Sequence, residues 1–128
     1  MSQGTFEEER PVNQREREVL RYLVSRADES VVPALLRQVE SARVLQGPGP
    51  CCATVHIYSD VWSEGVTGQG FAIEAPWTQK PLRSVRLRIA GGGPLQLSLL
   101  ELRHEDEDIA PMEFPAPEQL GPPKVGPL

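Results

Sequence analysis

The sequence predicts an α+β domain, with two N-terminal helices packed on a mostly antiparallel sheet of four or five strands. Two observations carry this. Up to Gly47-Pro48-Gly49-Pro50 apolar residues recur at helical spacing, and after it they alternate at strand spacing. The helical runs all come first and the strand runs second, which segregates helix from sheet. A chain of 128 residues makes one domain with one modest core.

Residues 1–12 read as a disordered lead-in. Asn13 is placed to cap a helix, with Glu16 completing a capping box. The helix should run from Gln14 to near Arg26, with Val19, Leu20, Leu23 and Val24 as its apolar stripe. Asp28-Glu29-Ser30 separates it from a second helix. Ser30 is the expected cap there, and Pro33 falls in the first turn, where a missing N–H is harmless. Val32, Leu35, Leu36 and Val39 form the second stripe, so the pair reads as a helical hairpin.

Val44 and Leu45 open a short strand before the Gly-Pro break. Val55 and Ile57 alternate with His56 and Tyr58 in a half-buried strand. Residues 60–70 read as a mobile, glycine-rich loop. Phe71 to Ala75 is a strand stopped by Pro76. Val85, Leu87 and Ile89 alternate with Arg86 and Arg88, then Gly91-Gly92-Gly93-Pro94 turns the chain and Leu95, Leu97 and Leu99 return. The apolar parity slips at Leu100 and Leu102, which requires a bulge near Leu99 or burial on two faces. The expected core is Val19, Leu20, Leu23, Leu35, Leu36, Val39, Val55, Ile57, Val85, Leu87, Ile89, Leu97 and Leu99. The domain should span 13–110. Residues 111–128 form a Pro-rich, acidic tail.

The net charge of -5 is concentrated at one end. Residues 1–103 are nearly balanced, whereas 104–128 carry one Lys against six acids. Nucleic acid binding needs clustered positive charge, and an acidic tail repels anionic membranes, so neither partner is expected. Met1 to Pro11 has the features of no secretory signal. The two cysteines, Cys51 and Cys52, are adjacent and build no disulfide framework, which fits a reducing cytoplasm.

No motif of useful specificity for catalysis, metal or phosphate is present. His104-Glu105-Asp106-Glu107-Asp108 lacks the glycine and distal Glu of a Ca²⁺ loop and reads as a solvated acidic run. Cys52 and His56 share a strand face but lie about 13 Å apart along it, too far for one zinc ion. Gly65 to Gly70 lacks the Gly-Lys-Ser/Thr ending of a phosphate loop. Neither a metal nor a cofactor is therefore expected. Trp62, Phe71 and Trp77 bracket the loop, and Trp is enriched at binding hot spots; the bland reading has the indoles covering the sheet edge. Arg83, Arg86 and Arg88 read as a basic stripe facing an acidic partner, or as ordinary surface charge. The candidate binding residues are Trp62, Phe71, Trp77, Arg83 and Arg86.

The run Gln14 to Ser25, followed by Pro33 to Val39 and Ala42-Arg43-Val44, resembles the start of a group of small uncharacterised proteins from high-GC bacteria. Cys51 to Val55, Leu97 to Leu102 and the Phe-Pro-x-Pro-x-x-Leu run Phe114 to Leu120 are similar too. The resemblance implies one compact domain ending near Leu120, with the Phe-Pro segment docked on the body. It carries over no activity.

The leading expectation is a cytoplasmic, non-enzymatic protein-binding protein of the immunity or accessory kind. Its partner would be another protein, with a homodimer as the other option. The runner-up is a small-ligand-binding module with its pocket between helices and sheet near Trp62 and Trp77. A small enzyme using His56 is third.

Overall fold

A computed structural model describes residues 9–46, 53–59, 66–104 and 113–128. Helix α1, Gln14–Val24, starts at the capping box written in the sequence. The Asn13 side chain accepts from the Glu16 backbone N–H at 2.8 Å, and Glu16 Oε1 accepts from the Asn13 N–H at 3.0 Å. Glu16 is only 3% exposed. A carboxylate buried that far requires a partner. Arg10 supplies it through two parallel bonds of 2.9 and 2.8 Å, which raise the pKa of its own guanidinium. That pair helps hold Arg10–Pro11 as a short strand, β1, against Arg43 and Val44. The part of the expected disordered lead-in that is described is therefore structured.

Helix α2, Val32–Ser41, carries Pro33 in its first turn as expected, but Ser30 is not its cap. The residue before the helix is Val31, which makes no side-chain cap bond. The Ser30 hydroxyl and backbone N–H both donate to Asp28 instead, at 2.7 and 2.9 Å. The short turn so formed satisfies the local donors without a serine cap.

Both helices lie on one face of a seven-stranded sheet of order β1-β2-β3-β8-β6-β5-β9. Its other strands are β2 Arg43–Gln46, β3 Val55–Tyr58, β5 Phe71–Pro76, β6 Arg83–Ala90, β8 Gln96–His104 and β9 Lys124–Gly126. Two short strands, β4 Thr67–Gly68 and β7 Gly93–Pro94, pair separately. The class is the expected α+β, and all pairing among the described residues is antiparallel. The strand count exceeds the expected four or five. The excess includes the very short edge strands β1 and β9, which no sequence alternation announces.

The core joins Leu20, Leu23, Leu35 and Val39 of the helices to Val55, Ile73, Val85, Leu87, Ile89 and Leu97 of the sheet, all fully or nearly fully buried. Leu36 packs against it only in part. Leu99 does not belong to it. Leu97 pairs with Ile89 and Leu99 with Arg88, so Ser98 is an extra residue in β8. This bulge sends Leu97 toward the helices and Leu99 to the opposite face, and Leu100 and Leu102 return to the core.

Two glycines of the β6–β8 turn have a structural reason. A Cβ on Gly91 would lie 2.2 Å from the Gly70 nitrogen and 2.5 Å from the Gly68 oxygen. Gly92 adopts φ +85°, a conformation that favours glycine.

The C-terminal segment is attached along its described length. Phe114 is 2% exposed, and its carbonyl accepts from Arg15 Nη1 at 2.7 Å. The Tyr22 hydroxyl donates to the Gly121 carbonyl at 2.9 Å. Beyond Leu120, where docking was expected to end, β9 pairs with Ala72 to Glu74 of β5. Among the described residues no helix is long and apolar enough to cross a membrane.

Candidate binding face

Strand alternation that turns Val85, Leu87 and Ile89 to the helices turns Ser84, Arg86 and Arg88 the other way. The same parity puts Ala72 and Glu74 of β5, and Leu99, Glu101 and Arg103 of β8, on that second face. No helix among the described residues covers it. Register aligns its side chains in rows. One row runs Leu45, His56, Leu99, Arg88, Ala72. The next runs Glu101, Arg86, Glu74, Lys124, alternating in charge across four strands. Tyr58 stands on the same face, 46% exposed.

The pairing of these charges is uneven. Arg103 Nη1 lies 3.3 Å from both oxygens of Glu74, and the Ser84 hydroxyl donates to the same carboxylate. Arg88 lies 4.0 Å from Glu101. Both carboxylates are thus engaged by arginines of the neighbouring rows. Arg86 and Lys124 pair with no carboxylate among the described residues. Among the described residues Arg86, Arg88, Arg103 and Lys124 outnumber Glu74 and Glu101 on this face, whereas the chain's net charge is -5.

Beside β9 the face deepens into a cleft of about 740 Å³, between the outer side of β5 and β6 and the segment Pro122 to Pro127. Its size lies within the range of small-molecule sites. The Arg86 Nε–H is buried there without a hydrogen-bond acceptor, and Nη2 makes one long contact, 3.5 Å, to the Pro127 carbonyl. This cleft lies on the face opposite the one where a pocket was expected. Among the described residues, core side chains pack between the helices and the sheet.

Of the five residues singled out in the sequence, the four described ones do not converge. Trp62 lies outside the described residues. Phe71 and Trp77 sit at opposite ends of β5, about 20 Å apart along the strand, and both pack partly buried against the core. Arg83 lies over the Trp77 ring at 5.7 Å from its centroid and is only 8% exposed. It shares the parity of Val85, so it is not part of a stripe with Arg86 and Arg88. Of the four described residues, Arg86 alone lies on the open face. Glu74, Ser84 and Lys124 gave no signal as site residues, although the parity of Glu74 and Ser84 was readable.

His56 is exposed beside Arg88, Ser98 and Leu99 in a shallow depression, and no carboxylate lines it among the described residues. Among those residues no group of three or more His, Cys, Asp or Glu is placed to hold a metal ion, and Cys51 and Cys52 lie outside them. Comparison with protein-family models, with curated proteins and with solved structures found no match.

Proposed function

We propose that the protein is a non-enzymatic binding module of the immunity or accessory kind, whose open sheet face docks on an acidic surface of another protein. The observation that carries this is the excess of cations among the described residues of that face, on an acidic chain. Complementary charge steers association and selects partners. Tyr58, Leu45 and Leu99 add the aromatic and apolar area from which interface centres are built. A second copy of the chain docking through the same face would bring like charges together, which opposes it. The same reading takes the protein to be cytoplasmic, in keeping with Cys51 and Cys52 being its only cysteines.

The test is affinity purification from the native host with three baits, and quantification of co-purifying proteins. The baits are the unaltered protein, the double variant Tyr58→Ala/Arg88→Glu, and Arg37→Glu on the exposed side of α2. A partner retained by Arg37→Glu and lost with the double variant, at unchanged circular dichroism, supports the reading. Equal recovery with all three baits overturns it.

A further inference from the structure

We propose that the cleft beside β9 is a separate recognition site, selective for a single carboxylate carried on an apolar body. It goes beyond the docking of a protein partner and needs no such partner. The first ground is Arg86. A buried N–H with no acceptor is costly, and native proteins rarely leave one without a reason. Here the unbonded Nε–H belongs to a guanidinium that lines a cleft of about 740 Å³. That planar fork matches a carboxylate through two parallel hydrogen bonds.

The second ground is the charge around it. Lys124 lines the same cleft and makes no ion pair among the described residues. Glu74 also lines it, but its oxygens are already held by Arg103 and Ser84. The cleft is therefore positive enough for one negative charge. Glu74 still opposes a second, which disfavours a phosphate dianion.

The third ground is the rest of the wall. Pro76, Pro122, Val125 and Pro127 are apolar. Small-molecule sites have this composition, mostly apolar with a few polar groups that fix orientation. Proline walls also lose little side-chain entropy when a ligand covers them.

The test uses the isolated protein labelled with ¹⁵N. Octanoate is the probe, with octanol, acetate and inorganic phosphate as controls. Octanoate should give saturable amide shifts centred on Ala72, Glu74, Arg86, Lys124 and Gly126, with a Kd of about 1 mM or tighter. Arg86→Gln should weaken it about tenfold or more, close to one hydrogen-bonded charge pair. Octanol, acetate and phosphate should each bind at least about tenfold more weakly. Lys124→Met, at an exposed edge position, should weaken octanoate several-fold and guards against a folding defect in Arg86→Gln. Shifts that do not saturate or that centre elsewhere overturn the proposal. So does octanoate affinity unchanged in both variants, or phosphate binding as tightly as octanoate.

Discussion

The side-chain oxygen of Gln38 accepts a hydrogen bond from the backbone N–H of Leu97 at 2.9 Å. Its amide nitrogen donates to the Leu95 carbonyl at the same distance. Gln38 is fully buried on α2. One side chain thus completes the backbone bonding of β8 where that strand starts, as a neighbouring strand residue would.

Replacing Gln38 by Leu keeps the bulk, removes both bonds and takes away the acceptor of the buried Leu97 N–H. At about 1–3 kcal/mol for a buried group left unsatisfied, the expected loss is about 1–3 kcal/mol. Gln38→Glu should lose more at neutral pH, because a carboxylate cannot donate to the Leu95 carbonyl and would be a buried charge. Urea unfolding measures both. A loss for Gln38→Leu below about 1 kcal/mol would mean that water replaces the amide.

The docking of the C-terminal segment rests on Phe114. Phe114→Ala should cost about 3–5 kcal/mol, as for a buried aromatic truncation. Tyr22→Phe removes only the bond to the Gly121 carbonyl and should cost about 0.5–1.5 kcal/mol. Equilibrium denaturation ranks them. Near-neutral behaviour of Phe114→Ala would show that the segment is undocked in solution.

Asp28 gives a pH signature. Hydrogen bonds from the Ser30 backbone and hydroxyl hold its carboxyl below the usual aspartate range. A depressed folded pKa stabilises fully above the unfolded value, about 3.9, and that stabilisation is lost as pH falls through the folded pKa. The stability gap between the unaltered protein and Asp28→Ala should therefore be widest near neutrality and close in strong acid. Asp28→Asn keeps an acceptor without the charge, so its stability should depend less on pH. Denaturant unfolding across a pH series decides it, and a gap independent of pH would contradict the role of the ionised carboxylate.

Gly91 should tolerate no side chain. Its Cβ would meet the backbone of Gly68, Gln69 and Gly70 at 2.2–2.6 Å, whereas a Cβ on Gly93 meets nothing within 4 Å. Gly91→Ala should lose about 1–3 kcal/mol or more through the forced backbone shift. Gly93→Ala, two residues away, should stay within about 0.5 kcal/mol of the parent. Thermal unfolding of the two variants side by side makes the comparison, and equal melting temperatures would argue against the close approach.

What the sequence made legible was what short-range chemistry decides. Asn13 and Glu16 hold the whole of a helix start within four residues, and the alternation of Val85, Leu87 and Ile89 fixes which way Arg86 and Arg88 face. The parity of Arg83 was equally readable, and grouping it with Arg86 overlooked it. The edge strands were not legible. Arg10–Pro11 and Lys124–Gly126 are too short to show a period and are strands only because Val44 and Ile73 lie beside them. The cleft was hidden for the same reason. Lys124 meets Glu74 only through a pairing distant in sequence, and nothing local in a proline-rich run predicts that contact.

The extra residue in β8 also bears on which changes of chain length the sheet can absorb. Ser98 stands opposite no residue of β6. Deleting it would leave Leu97 against Ile89 and Leu99 against Arg88, with every side chain on the face it now occupies. A loss that would invert one end of an ordinary strand becomes, at this position, a simple straightening. Ser98 thus acts as a slack link: the hairpin can be shortened there by one residue while the inner leucines and the outer arginines stay where they are.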